Sequence, residues 1–336
     1  MDPHLAGAAG GNDMTSGFVL GKFMPPHDGH VLMCETARRL VDRLTILVCW
    51  LPDDPIPGPL RLQWMRELFP DCRVIGHDAV VPQAPEEHPD FWPIWRDIVR
   101  AAHPEPIDIV FAGEDYGARL AVEVGAEFVL VGPRAFPELS ATAVRADPWG
   151  QWHRIPAPVR AYYARTICLH GPESTGKSTL SAPLAAHFGT IWVPEYGRVH
   201  CELNGFELDD AGLVRIGQVQ SAMTRAALPL CNKRLIVDTD ALTTAAWSLM
   251  ILGHVPAGVL DGLPVADLYL LTDIDIPWEN DGTRYFPDPK DRRRFMAACE
   301  QVLEEAGVKW LRVSGTVEQR LAQAVQAIEA LGGPRA

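Results

Sequence analysis

The sequence lacks the features that mark membrane-spanning, secreted and disulfide-built proteins. No apolar run approaches the roughly 20 residues that a membrane-spanning helix needs. The opening stretch, MDPHLAGAAGGNDMTSG, has neither the basic start nor the apolar core of a secretory signal. The seven cysteines are scattered without a CxxC pair, which predicts neither a disulfide framework nor a zinc knuckle. These absences favour a reducing cytoplasm, and the Gly/Ala-rich opening predicts a disordered head over residues 1–15.

Positive charge is also in deficit. The 336 residues carry 30 Lys and Arg against 43 Asp and Glu, a net charge of −13. This net negative charge argues against a protein that binds nucleic acid through its backbone phosphates. A small phosphorylated ligand needs only a local cluster of donors, so it stays possible.

Apolar runs alternate with helical patterns along both halves of the chain. The strand-like runs are FVLG, LTILVC, IDIVFAG and EFVLV in the first half, and TICLHG, TIWVPE, RLIVDTD, DLYLLTD and KWLRVSG in the second. This rhythm predicts the α/β class, with two doubly wound domains that bind ligands at the carboxyl ends of their strands. We place the domains at 16–148 and 165–336, with a linker at 149–164 where proline and tryptophan are dense.

The strongest single motif is GPESTGKST at 171–179, which fits the P-loop pattern GxxxxGK[ST] between a strand-like and a helix-like segment. Gly171 and Gly176 let the backbone NH groups turn towards phosphate oxygens. Lys177 is predicted to reach the β- and γ-phosphates, and the Ser178 hydroxyl to ligate Mg²⁺. The predicted ATP-binding residues are Gly171, Pro172, Glu173, Ser174, Thr175, Gly176, Lys177, Ser178 and Thr179.

Carboxylates follow two other strand-like runs of the second half. Asp238 takes the usual place of a magnesium-holding carboxylate. Asp240, on the same side if the strand continues, or Glu195 could accept the proton of an attacking hydroxyl. For Asp240 a helix cap stays open as the alternative, because it precedes ALTTAAW.

An arginine-rich segment, PWENDGTRYFPDPKDRRR, follows the strand-like run DLYLLTD in the second half. It could act as a lid that closes over the phosphates and brings Arg284 or Arg292 to the transferring group. An ordinary solvated loop is the alternative.

In the first half, GKFMPPHDGH at 21–30 places His27 and His30 between a strand-like and a helix-like run. A metal site lacks further ligands there. Imidazoles beside a helix start can instead donate hydrogen bonds to phosphate, helped by Lys22. Structural histidines are the alternative.

The same stretch resembles the GxFxPxHxGH signature of nucleotidylyltransferases, and LSATAVR at 139–145 resembles their second signature, [IL]SxTxxR. In that family the two signatures wrap the triphosphate of ATP while a substrate phosphate attacks the α-phosphorus. The resemblance implies that His30 is catalytic. It assigns ATP binding to Gly21, Lys22, Phe23, His27, His30, Ser140, Thr142 and Arg145.

The order of the two modules resembles the bifunctional nicotinamide-nucleotide adenylyltransferase and ribosylnicotinamide kinase family, often called NadR. The likeness runs from about Thr15 and includes VPEYGR and DTDALTT. It implies a Rossmann-like nucleotidylyltransferase domain followed by a P-loop kinase domain. These would phosphorylate nicotinamide riboside and adenylylate the mononucleotide to NAD, with ATP as co-substrate and Mg²⁺ as cofactor. Lys177, Asp238, Asp240 and Glu195 are the implied catalytic residues of the kinase, with Asp238 and Asp240 in magnesium and riboside binding, and Tyr196 and Arg198 are implied at the substrate.

Nicotinamide recognition usually needs an aromatic face, for which Trp64, Trp92 and Trp95 are candidates and Trp92 is preferred; core packing is the alternative for each. Only about 16 residues precede the first strand-like run, so we expect neither a helix-turn-helix domain nor DNA binding. Gly132 and Pro133 precede the second signature where a more polar run is expected, which favours a weak first domain.

Two other functions stay open: a kinase for another nucleoside or pyridine riboside, and a non-catalytic NAD- or ATP-sensing regulator. The expected partners are small molecules, without membrane insertion. A riboside transporter would be a functional partner by family analogy alone, and a homo-oligomer stays possible.

Overall fold

The computed structural model describes residues 14–132, 139–261, 265–278 and 284–335. Most of the predicted head, Pro133 and part of the arginine-rich segment lie outside the described residues. The chain divides into two compact units, Met1–Val159 and Arg160–Ala336. Within the described ranges no helix is long and apolar enough to cross a membrane.

The first unit is built on a parallel sheet with the strand order β3-β2-β1-β4-β5. Its strands are β1 (Ser16–Gly21), β2 (Arg43–Cys49), β3 (Arg73–His77), β4 (Ile109–Ala112) and β5 (Glu127–Leu130). Its helices are α1 (Asp28–Leu40), α2 (Gly58–Leu68), α3 (Phe91–Ala102), α4 (Tyr116–Val124) and α5 (Ala141–Ala146), and α6 (Ala157–Tyr163) spans the division between the units. The strand order reverses at β1, so the carboxyl ends of β1 and β4 flank the switch point where such sheets bind ligands.

The sequence analysis missed β3. Its segment, RVIGH, buries only Val74 fully, so it lacks the continuous apolar run by which the other strands of the sheet were recognised. Trp50 packs directly against Gly76 of this strand, where an added Cβ would lie 2.5 Å from the indole ring. The absence of a side chain at Gly76, which weakens the sequence pattern, is therefore what makes room for the tryptophan.

The second unit has a parallel sheet with the order β10-β9-β6-β8-β7. Its strands are β6 (Arg165–His170), β7 (Trp192–Val193), β8 (Arg234–Asp238), β9 (Leu268–Thr272) and β10 (Trp310–Val313). Its helices are α7 (Lys177–His187), α8 (Tyr196–Asn204), α9 (Asp210–Ala227), α10 (Ala241–Ile251), α11 (Pro289–Glu305) and α12 (Val317–Ala330).

Both central strands are buried along most of their length. Ile167, Cys168 and Leu169 of β6 have no exposed surface, nor do Phe18 and Val19 of β1. Helices cover both faces of such parallel sheets, so the strands read as continuous apolar runs instead of alternating ones. The predicted fold class, two doubly wound α/β domains, is confirmed.

Candidate functional sites

A cleft of about 820 Å³ opens at the carboxyl edge of the first sheet. It is bordered by Gly21 at the end of β1 and by Gly113 just after β4. All eight residues predicted from the two signatures line it: Gly21, Lys22, Phe23, His27, His30, Ser140, Thr142 and Arg145. The fold thus brings the two sequence signatures to one cleft.

The rings of His27 and His30 pack together at the start of α1, with centroids 3.9 Å apart and planes tilted by 32°. His27 is the N-cap, and its Nδ1 accepts a hydrogen bond from the Gly29 NH at 3.1 Å, which leaves the proton on Nε2. Burial lowers the pKa of His27 to about 4, and burial together with His27 holds the pKa of His30 well below its usual value. Both rings are therefore neutral at pH 7. Without a ligand in the cleft they therefore offer N–H donors and no positive charge.

The backbone between β1 and α1 has an unusual conformation. Phe23 has a φ of 47°, a left-handed value that a residue with a side chain adopts only when tertiary contacts impose it. Its ring is 1% exposed, lies 3.2 Å from where a Cβ on Gly21 would be, and packs edge-on against His30 at 5.0 Å. The buried ring therefore packs against both Gly21 at the end of β1 and the second histidine.

A buried arginine that the sequence analysis missed holds the same loop. Arg61 has no exposed surface, and its guanidinium donates to the Lys22 carbonyl at 2.7 Å and to Asp54 Oδ2 at 2.6 Å. The Lys22 ammonium lies 3.7 Å from Asp54 Oδ1. Burial raises the pKa of Asp54, but hydrogen bonds from the Leu51 NH and Arg61 outweigh it, so the pKa is lowered. A signal existed, because Arg61 shares the buried face of α2 with Trp64 and Met65, where an arginine is rarely left without a partner.

The second signature is tied to the first by Arg145. Its guanidinium donates to the Met24 carbonyl, and it also donates to Thr142 Oγ1 at 3.1 Å. Ser140 caps α5 by accepting the Ala143 NH at 3.0 Å. The cap sets where α5 begins and so directs Arg145 towards the loop that carries the histidines.

Two of the three candidate tryptophans line this cleft. Trp92 and Trp95 lie on α3, where Trp95 is 8% exposed and donates its Nε1–H to the Pro82 carbonyl at 3.0 Å. The Trp92 ring stands edge-on to Phe91 at 5.0 Å, and the Arg119 guanidinium lies 5.9 Å from its centroid. Trp64 is core, 3% exposed on α2, and is not among the residues that line the cleft.

The second unit has its own pocket, of about 160 Å³, around the phosphate loop between β6 and α7. Gly171 has a φ of 135°, and a Cβ there would lie 2.7 Å from Thr272 Oγ1, so the position requires glycine. Gly176, with a φ of 79°, is the N-cap of α7. The buried Lys177 ammonium donates to the Gly171 and Pro172 carbonyls at 2.9 and 2.7 Å, which keeps it along the loop.

Asp238 ends β8 beside this loop. Its carboxylate is 2% exposed, and Oδ1 has no hydrogen-bond partner among the described residues. Burial raises its pKa, against the opposing effects of Lys177 and a hydrogen bond from Ser178. A buried carboxylate oxygen without a donor, next to a serine hydroxyl, is the hard-oxygen environment that suits Mg²⁺, which takes one or two protein ligands. Within the described ranges, no cluster of three or more His, Cys, Asp or Glu side chains could hold a metal ion. A site made of one serine and one aspartate oxygen is smaller than such a cluster, so this finding does not bear on it.

Asp240 has the capping role that the sequence left open. The strand does not continue past Asp238, because Thr239 has a φ of 83° and turns the chain. Asp240 Oδ1 accepts the Leu242 and Thr243 NH groups at 2.9 and 3.1 Å, and Oδ2 accepts the Tyr269 hydroxyl at 2.5 Å. Both carboxylate oxygens are therefore engaged, and Asp240 is not among the residues that line the pocket.

Glu195 and Arg198 do line the pocket, whereas Tyr196 does not. Burial raises the pKa of Glu195, with Lys177 acting against it and Asp238 adding to it. The Tyr196 NH donates to Gln220 Oε1 at 2.7 Å, so its backbone helps to fix the start of α8.

The two candidate arginines of the predicted lid differ in position. Arg284 lines the pocket and donates to Ser174 Oγ of the phosphate loop. Arg292 donates to the Ile276 carbonyl at 3.1 Å and is not among the lining residues. Arg284 therefore contacts the phosphate loop, whereas Arg292 contacts the backbone of Ile276.

Two aromatic residues that the sequence analysis missed complete the pocket. Trp247 on α10 and Tyr285 both line it, with ring centroids 5.6 Å apart and an interplanar angle of 65°. Cys201, Leu213 and Ile216 add apolar surface. No local pattern marks these rings, since they converge only through the packing of α10 and the segment before α11.

Comparisons with known proteins agree with this architecture. A family model described as an AAA domain matches residues 166–320. The chain is 31% identical over 324 residues to the trifunctional NAD biosynthesis/regulator protein NadR of Escherichia coli K12, covering 89% of this chain and 78% of that protein. It is 30% identical to the NadR of Salmonella typhimurium LT2, covering 88% and 78%.

Two solved structures share the fold across both units. A NadR protein in complex with NR superposes with a TM-score of 0.74 at 21% identity, and a NadR protein in complex with NAD and AMP-PNP with a TM-score of 0.72 at 21% identity. Each covers 95% of this chain and 96% of the other. On the sequence identity to its curated relatives and the extent of their coverage, this chain belongs to the NadR family.

Proposed function

We propose that this protein makes NAD in two steps, each in one unit. The second unit phosphorylates the 5′-hydroxyl of nicotinamide riboside with ATP, and the first joins the resulting mononucleotide to AMP from a second ATP. The relatives are named as NAD biosynthesis proteins, and a solved NadR structure holds NR while another holds NAD with AMP-PNP. The observation that carries the proposal is that the phosphate loop shares one pocket with an aromatic pair, Trp247 and Tyr285.

In the kinase step the pocket orients both substrates. The pyridinium ring is placed against the aromatic pair, a contact that favours a cationic ring. Lys177 and Arg284 neutralise charge on the γ-phosphoryl group. Ser178 and Asp238 are the residues that would hold Mg²⁺, which when bound spreads the negative charge of the phosphates. As the 5′-oxygen bonds to the γ-phosphorus and the bond to ADP breaks, Glu195 accepts the hydroxyl proton, a role that its raised pKa favours.

In the adenylyl transfer step the first cleft acts by position and hydrogen bonding. An oxygen of the mononucleotide phosphate attacks the α-phosphorus of ATP, and the α–β bond breaks to release pyrophosphate. His27 and His30 donate N–H bonds to the phosphates as neutral rings, while Lys22 and Arg145 supply the positive charge. Trp92 at the rim is the proposed aromatic contact for the pyridine.

The direct test is an incubation of purified protein with nicotinamide riboside, ATP and Mg²⁺, with products followed by mass spectrometry. We expect the mononucleotide first and NAD after it. Mononucleotide without NAD would contradict the adenylyl transfer step, and neither product would contradict both.

Single substitutions separate the two steps. His30→Ala should lower NAD formation from mononucleotide by at least about 100-fold, a typical effect of removing a donor to developing charge, and leave riboside phosphorylation unchanged. Lys177→Ala should do the reverse. Measuring both rates in each variant checks the assignment, which fails if either variant loses both activities equally.

A further inference from the structure

Glu173, the third residue of the phosphate loop, has its carboxylate engaged by a distant part of the chain. Its two oxygens accept the Tyr285 NH at 3.0 and 2.9 Å, and Oε1 also accepts the Phe286 NH at 2.6 Å. The Trp278 Nε1–H adds a longer bond of 3.3 Å to Oε1. The side chain is 7% exposed, so solvent contributes little to these contacts.

A carboxylate in a phosphate-binding loop is electrostatically unfavourable, because it repels the ligand that the loop holds. Here the negative charge is stabilised by backbone NH groups that belong to neither the loop nor its helix. Hydrogen bonds to a charged group are about twice as strong as those between neutral groups, and a buried backbone NH that loses its partner is destabilising. The arrangement therefore fixes the backbone at residues 284–286 relative to the loop.

The side chains carried by that backbone are those that contact both substrates in the proposed kinase step. The Tyr285 ring lies in the pocket beside Trp247, and its hydroxyl donates to the Phe206 carbonyl at 2.6 Å. Arg284 donates to Ser174 Oγ in the same loop. A shift of the peptide between these two residues would move the aromatic wall of the pocket and the guanidinium together.

We propose that Glu173 is a positioning residue that anchors Tyr285 to the phosphate loop and thereby sets the affinity of the second unit for its riboside. Its side chain acts through Tyr285, while its backbone remains part of the loop that is predicted to bind ATP. This role rests on the proposed function for its substrate, but the anchoring contact exists without one.

The contact is tested without any substrate by hydrogen–deuterium exchange of the purified full-length chain. The amides of Tyr285 and Phe286 donate to Glu173, so Glu173→Ala should speed the exchange of these two amides by at least about tenfold. Glu304→Ala, an exposed glutamate on α11, is the matched control and should leave these amides as in the wild type. Unchanged exchange in folded Glu173→Ala would overturn the proposal.

The consequence for the riboside is tested by steady-state kinetics. Glu173→Ala should raise KM for nicotinamide riboside by at least about tenfold, equivalent to about 1.4 kcal/mol, with KM for ATP within about threefold of wild type. Glu173→Gln keeps the volume and one acceptor oxygen, so it should give an intermediate KM for the riboside and serves if the alanine variant does not fold. A rise in KM for ATP alone would overturn the positioning role.

The two measurements distinguish failure of this inference from failure of the proposed function. If the wild type phosphorylates no riboside, the proposed function fails while the exchange result still decides whether Glu173 anchors residues 284–286. If the wild type is active, and neither the amide exchange nor KM for the riboside changes in the variants, the anchoring role alone is wrong.

Discussion

At the scale of single residues, the first cleft depends on histidines that stay neutral. The His27 ring is 7% exposed and its Nδ1 already accepts the Gly29 NH, so a proton there would break the cap and charge a buried ring. Neutral rings donate through one nitrogen each, which gives directional contacts to phosphate and leaves the positive charge to Lys22 and Arg145. This division of roles could not be inferred from the spacing of the two histidines alone.

Burial of His27 makes the stability of the first unit dependent on pH. Its pKa is about 4 in the folded chain against 6.5 ordinarily, so between these values the unfolded chain binds a proton that the folded one does not. The stabilisation is complete above pH 6.5 and is lost as the pH falls towards 4, at about 1.4 kcal/mol per pH unit. Urea unfolding at pH 7 and pH 5 should show that the wild type loses about 2 kcal/mol more than His27→Gln. Equal losses in both proteins would contradict a neutral, buried His27.

At the scale of helices and strands, local motifs were predictable from the sequence. The long-range contacts that position their side chains were not. The glycine pattern of the phosphate loop dictates its own backbone, so sequence alone located it. By contrast, Arg61 reaches Lys22 across 39 residues and Glu173 reaches Tyr285 across 112. Such contacts depend on how elements dock on the sheet, which no local pattern encodes. The turn at Thr239 is a smaller case, because one left-handed residue removed Asp240 from the line of the strand.

The start of α10 supplies a prediction that separates structure from chemistry. Asp240→Ala removes the cap and leaves the Tyr269 hydroxyl without its acceptor, which should cost the second unit about 2–4 kcal/mol of unfolding free energy. Asp240→Asn keeps a capping oxygen, so its kinase kcat should remain within about threefold of wild type. Chemical denaturation and initial rates on the same samples check both values. A loss of about 100-fold in the asparagine variant would instead identify Asp240 as the proton acceptor.

At the scale of the whole molecule, the chain is acidic, but lysine and arginine side chains line both the cleft of the first unit and the pocket of the second. The net charge is −13, yet Lys22 and Arg145 line one cleft and Lys177, Arg198 and Arg284 line the other pocket. Among the described residues, those that line the first belong to the unit ending at Val159, and those that line the second belong to the unit beginning at Arg160. Each proposed reaction therefore has all of its contacting groups within one unit.

That separation predicts that the two activities can be supplied by different molecules. His30→Ala should keep the kinase step and Lys177→Ala the adenylyl transfer step, so neither alone should convert nicotinamide riboside to NAD. An equimolar mixture of the two variants should form NAD after a lag in which free mononucleotide accumulates, because the intermediate must leave one molecule and bind to another. Mass spectrometry of timed samples would show the lag, and supplied mononucleotide should abolish it. If the mixture instead forms NAD without a lag and without free mononucleotide, the intermediate does not pass through solution, and the prediction is wrong.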